Sequence, residues 1–63
     1  MRIWLAERRV ELDITQVQAA ELAGVSYETY RRAETGEQTP RISNRIKISK
    51  ALGLPLEMWN EEE

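Results

Sequence analysis

Two helix starts and two helix stops fall within the stretch from Thr15 to Gly36. Thr15 is followed three residues later by Gln18, the spacing of a reciprocal capping box. Ala19, Ala20 and Leu22 give the helix that follows a small-residue face, which another helix can approach closely. Gly24 can take the positive φ that ends a helix, and Val25 is an apolar plug in the turn. Ser26 then caps a second helix starting at Tyr27. The pattern predicts two short helices meeting at a glycine corner.

With 63 residues the chain reads as one domain near the lower limit for independent folding, residues 1–60, followed by an acidic tail at 61–63. A ligand pocket of usual size would consume much of such a core, so no small-molecule effector is expected. Cysteine and histidine are both absent, which removes thiol nucleophiles, imidazole bases and ordinary zinc sites together. No glycine-rich phosphate loop is present, and Glu28 and Glu34 diverge on their helix, so an enzyme is not expected. No cofactor is expected either. No apolar run approaches the roughly 20 residues of a membrane span, and position 1 leads directly into an amphipathic segment rather than a signal peptide. These features predict a cytoplasmic protein without membrane contact.

The net charge of −2 conceals an uneven distribution. From Tyr27 to Lys50, Arg31, Arg32, Arg41, Arg45, Lys47 and Lys50 face Glu28, Glu34 and Glu37, for a balance of +3. From Ala51 onward only acids occur, giving −4, and residues 1–26 contribute −1. A basic middle with an acidic tail fits a one-sided electrostatic footprint. It equally fits charges that merely solubilise helix faces.

The chain divides into five expected helices. The first covers about Arg2 to Leu12, with Trp4, Leu5, Leu12 and the stem of Arg9 inward, and Arg2, Glu7, Arg8 and Glu11 solvated. It ends at Asp13, which can adopt the left-handed conformation, and Ile14 sits where a hydrophobic staple would. The second and third cover Gln16–Ala23 and Tyr27–Thr35, meeting around Ala20, Leu22, Val25, Tyr30 and Ala33. Pro40 disfavours helix at Thr39. The fourth runs from Ile42 or Ser43 to Leu52, with Ile42, Ile46, Ile48 and Leu52 as its apolar positions. Pro55 suits the first turn of a last short helix through Leu56, Met58 and Trp59. The fold class is therefore all-α.

At 100° per residue, with Glu28 at the origin, Arg32 lies at about 40°, Thr35 at about 340°, Arg31 at about 300° and Tyr27 at about 260°. Tyr30 and Ala33 mark the opposite, inward side. The outward face then presents Glu28, Arg31, Arg32 and Thr35, with Tyr27 flanking. Arg can read guanine through O6 and N7, and Glu can accept from a cytosine amino group. The glycine corner makes this a helix-turn-helix layout, whose second helix usually enters the DNA major groove.

These features resemble the phage repressor and Cro-like family of helix-turn-helix regulators, often called the Xre type. The resemblance runs from Trp4 to Trp59. It is carried by Arg9, Ile14-Thr15-Gln16, Ala20, Gly24-Val25-Ser26, Glu34-x-Gly36, Pro40 and Ala51-Leu52-Gly53. It implies a five-helix repressor-like domain in which Gln16 binds a phosphate, Tyr27, Glu28 and Arg32 face bases, and Thr35, Gln38 and Arg41 lie near the DNA backbone. Ser26, at a helix start whose N–H groups can meet phosphate, and Arg31 complete the candidate set. The resemblance also implies a scaffolding ion pair between Arg9 and Glu34. The chain departs from the pattern in four places. Asp13 replaces the usual Gly, Arg41 stands where Ser or Thr commonly caps, and Glu37 stands where Lys is frequent and would repel phosphate. Tyr27 and Glu28 stand where Gln or Ser is more familiar.

Together these readings predict a sequence-specific transcription regulator that binds double-stranded DNA, a palindromic operator, as a dimer. One recognition helix offers few base contacts and a dimer doubles them. Leu54, Leu56, Met58 and Trp59 are the candidate homodimer surface, with Trp59 read as core or interface. The alternative is a protein-interaction module on the same fold, such as an antitoxin, which the acidic tail would suit.

Overall fold

The computed structural model describes residues 1–62, with side chains through residue 60. The acidic tail expected at 61–63 therefore lies outside the described side chains. Four α-helices are followed by one 3-10 segment: α1 Ile3–Glu11, α2 Gln16–Ala23, α3 Tyr27–Thr35, α4 Ile42–Leu52, then Leu56–Glu62. There is no strand among the described residues. The all-α class stands, and the fifth expected helix is the 3-10 segment. Met58 N–H donates to the Pro55 carbonyl at 3.2 Å, a three-residue closure that tightens this last element.

The caps follow the local sequence. Thr15 Oγ1 accepts from the Gln18 N–H at 3.1 Å while Gln18 Oε1 accepts from the Thr15 N–H at 2.9 Å. Gly24 ends α2 at φ 74°, and a Cβ there would meet no atom within 4 Å. The requirement for glycine is therefore conformational, not steric. Ser26 Oγ accepts from the Thr29 N–H at 3.1 Å and starts α3. Asp13 adopts φ 58° in the turn after α1.

Ala19, Ala20 and Ala23 form the buried face of α2, and their small side chains let α3 and α4 pack against it. The core joins them to Leu5, Tyr30, Ala33, Ile48, Leu52 and Trp59, with Trp4, Ile14, Val25, Ala51 and Leu54 packed around. No helix among the described residues is long and apolar enough to cross a membrane.

Several apolar positions expected in the core are exposed. Leu22 is 61% accessible, and Leu12, Ile42 and Ile46 also face solvent. In α4 the reason is angular for Ile46, which lies roughly 140° from the mean direction of Ile48 and Leu52, whereas Ile42, roughly 100° away, is the first residue of the helix. Ser49 is buried with Ile48 and Leu52, and its hydroxyl accepts from the Trp59 indole N–H at 2.8 Å.

Arg2 overturns its expected solvated placement and is only 4% accessible. It precedes α1 instead of lying on its surface. Its guanidinium donates to the Ala33 carbonyl at 2.6 Å, the Gln38 carbonyl at 3.2 Å and Thr39 Oγ1 at 2.6 Å. It also lies 5.2 Å from the Trp59 ring centroid. Carbonyls at the C-terminal end of a helix lack intrahelical donors and carry partial negative charge, so a cation is favoured there. Arg8, also expected in solvent, reaches the end of α4 and donates from Nε to the Leu52 carbonyl at 2.7 Å.

Candidate nucleic-acid interface

The exposed side of α3 is set by what its other side must bury. Tyr30, Ala33 and Glu34 are inward, leaving Glu28, Arg32 and Thr35 exposed and Arg31 half-buried at the edge. Tyr27, at the first turn, is 44% accessible. Glu28, Arg31 and Arg32 are joined in one charged cluster that also takes in Glu37, from beyond the Gly36 turn. Arg31 Nη2 meets Glu28 Oε1 at 3.0 Å and its Nη1 meets Glu37 Oε1 at 3.2 Å. Arg32 Nη2 meets Glu28 Oε2 at 2.9 Å and its Nε lies 3.9 Å from Glu37 Oε2.

In the sequence Glu37 is a departure from the family pattern and lies outside the candidate site residues. Its spacing from Arg31 matches no helical rule, because the intervening Gly36 turns the chain back at φ 88°. Thr35 shares in this turn: its hydroxyl donates to the Arg32 carbonyl at 3.3 Å and accepts from the Glu37 N–H at 3.4 Å.

Gln38 and Arg41 come together differently. With Thr29, Thr39, Pro40 and Asn44 they line a shallow depression between α3 and the start of α4. Arg41 is the residue before α4 and makes no side-chain cap hydrogen bond. Its side chain is exposed, and the first N–H groups of α4 have no side-chain cap. Arg2 holds the loop carrying Gln38 and Thr39 from behind, and nothing in its local sequence pattern signalled that role.

Ser26 and Gln16 have partners within the protein. The Ser26 hydroxyl, besides capping, donates to Thr29 Oγ1 at 2.8 Å. Gln16 begins α2 half-buried, and its Nε2 donates to Glu34 Oε1 at 3.1 Å. Glu34 also receives Arg9 Nε at 2.9 Å and Arg9 Nη2 at 3.0 Å, a two-pronged pair. Burial pushes the Glu34 carboxyl up, but hydrogen bonding from Arg9 and the polar neighbours Tyr30 and Gln16 outweighs it, leaving the group below the usual carboxylate range. Burial pushes the Tyr30 phenol up, and the adjoining Glu34 adds to that shift. The Arg9–Glu34–Gln16 chain thus links α1, α3 and the first residue of α2.

Of the expected homodimer residues, Trp59 is 3% accessible and packs edge-on against Trp4, with ring centroids 4.9 Å apart. It is a core residue, and the second aromatic that its sequence surroundings lacked comes from α1. Leu56 is exposed, whereas Leu54 and Met58 are half-buried.

A helix-turn-helix family profile matches residues 5–59. The chain is 36% identical over 53 residues to the cryptic phage CTXphi transcriptional repressor RstR of Vibrio cholerae serotype O1, covering 84% of this chain and 47% of that protein. It is 38% identical over 53 residues to an uncharacterized HTH-type transcriptional regulator of Methanothermobacter thermautotrophicus, covering 84% of this chain and 77% of that one. The chain thus spans about half the length of the repressor it matches. No solved structure matches it significantly. With its motif residues in place and the profile matched over nearly its full length, the chain belongs to the phage repressor and Cro-like (Xre-type) helix-turn-helix family.

Proposed function

We propose that the protein is a sequence-specific DNA-binding transcription regulator acting in the cytoplasm. In this reading it occupies a palindromic operator as a dimer, with α3 in the major groove. The observation that carries it is the outward face of α3, where Tyr27, Glu28, Arg31 and Arg32 stand exposed or at the edge on a helix whose other side is locked into the core. Arg32 and Glu28 are the base-reading candidates. Gln16, Thr35, Gln38 and Arg41, with the N–H groups at Ser26, are the phosphate-facing candidates. The dimer surface is assigned to Leu54, Leu56 and Met58. Leu54 and Leu56 share a shallow groove with Ile46, Ser49 and Lys50.

Selection of bound sequences from a random duplex pool tests this reading. A palindromic consensus is expected, with half-sites about one helical turn apart. Arg32→Ala is expected to lose discrimination at one or two base pairs, by about 1–3 kcal/mol per base contact. Gln16→Ala and Arg41→Ala are expected to weaken binding to all sequences alike. An Arg32→Ala consensus identical to that of the unaltered protein would reject the assignment of α3. Duplex binding that is absent or insensitive to salt would instead favour a protein-interaction role.

A further inference from the structure

We propose that Glu37 is a specificity-determining residue, a carboxylate that holds Arg31 and Arg32 away from DNA phosphates so that duplexes of the wrong sequence bind poorly. This rests on the DNA-binding reading above and deepens it. Glu28 pairs with Arg31 and Arg32 at helical spacings of three and four residues, as neighbours on any helix surface do. Glu37 differs, because it arrives from outside the helix, takes the Arg31 Nη1 that Glu28 leaves open, and comes within 3.9 Å of Arg32 Nε. Two carboxylates then face two arginines, and the groove-facing side of α3 carries no formal net charge from these four groups.

The position of Glu37 is built in. Gly36 reverses the chain in the left-handed conformation, the Glu37 N–H is held by Thr35, and the buried Arg2 guanidinium ties down the Gln38 carbonyl and Thr39 hydroxyl that follow. The carboxylate itself is exposed, so it can be altered without disturbing the core.

Non-specific affinity comes from phosphate neutralisation by Lys and Arg. On such a duplex Arg31 and Arg32 reach phosphate only by leaving Glu37, which then lies unpaired beside like charge. On the selected sequence Arg32 gains a base edge instead, and Arg31 can remain with Glu37. The carboxylate therefore opposes wrong sequences more than the right one.

The test measures binding of the full chain to a random-sequence duplex and to the duplex selected above, over a range of salt concentrations. Three proteins are compared: unaltered, Glu37→Gln, and Glu7→Gln. The last removes one negative charge from the exposed side of α1, outside the proposed interface. Glu37→Gln is expected to gain about three- to tenfold on the random duplex, given the modest strength of exposed ion pairs, and less than about twofold on the selected one. Its salt dependence on the random duplex should steepen by about 0.9 log units of affinity per log unit of salt for each new phosphate contact. Glu7→Gln should leave both affinities within about twofold of the unaltered protein, as expected of a screened remote charge. Equal gains on the two duplexes, an unchanged salt slope, or the same gain from Glu7→Gln would each overturn the role of Glu37 while leaving DNA binding intact. Failure of all three proteins to bind any duplex at low salt would overturn the DNA-binding reading itself, and this inference with it.

Discussion

Glu34 is 2% accessible on α3, yet it receives Arg9 from α1 and Gln16 from α2. A buried carboxylate persists only where donors replace its lost water, and here three N–H donors do so. Because its folded pKa lies below the unfolded value of about 4.3, the stabilisation is present above that pH and is lost as pH falls through the folded value. Urea unfolding between about pH 5 and about pH 3 should therefore show stability falling with acidification, and the Glu34→Gln variant should show a shallower fall. Equal slopes for the two proteins would mean that Glu34 is not the titrating group. The pair was legible because Arg9 and Glu34 stand at family positions. Arg2 was not, since its three acceptors lie more than thirty positions away in sequence and no local periodicity reports them.

Among the helical elements, α2 and α3 were the most legible. Their caps, glycine stops and inward faces all depend on residues within a turn or two of each other. The outward face of α3 likewise follows from its period, since burying Tyr30 and Ala33 leaves Glu28, Arg32 and Thr35 exposed. The segment Leu56–Glu62 was harder to read. Its apolar residues read locally as a surface seeking a partner, but Trp59 turns back to Trp4 and Ser49 and closes the domain's own core. Trp59→Ala is accordingly expected to cost about 3–5 kcal/mol, a drop in Tm of about 15 °C or more. Trp59→Phe, which keeps a ring against Trp4 but loses the bond to Ser49, should be milder. Thermal melts of the two variants check this, and an unchanged Tm for Trp59→Ala would contradict the packing of the last segment.

For the whole molecule, the apolar surface left outside the core bears on assembly. Leu56 and Ile46 are both 38% accessible on one side of the domain, and the proposed dimer uses that side. Leu56→Glu is expected to shift sedimentation toward monomer with little change in Tm, and to lower affinity for a palindromic duplex more than for a random one. A variant that still dimerises normally would put the interface elsewhere. The all-α class, the positions of the four α-helices and the glycine corner were determined by the sequence alone, because capping, left-handed glycines and a 100° period act over a few residues. Three matters were decided only by the tertiary structure: which apolar stripe of α4 is covered, where the Arg2 guanidinium ends, and that Glu37 joins the arginines of α3. Each depends on groups distant in sequence meeting across a packed core or a reversed turn, where burial and hydrogen-bond satisfaction select among faces that local periodicity leaves equivalent.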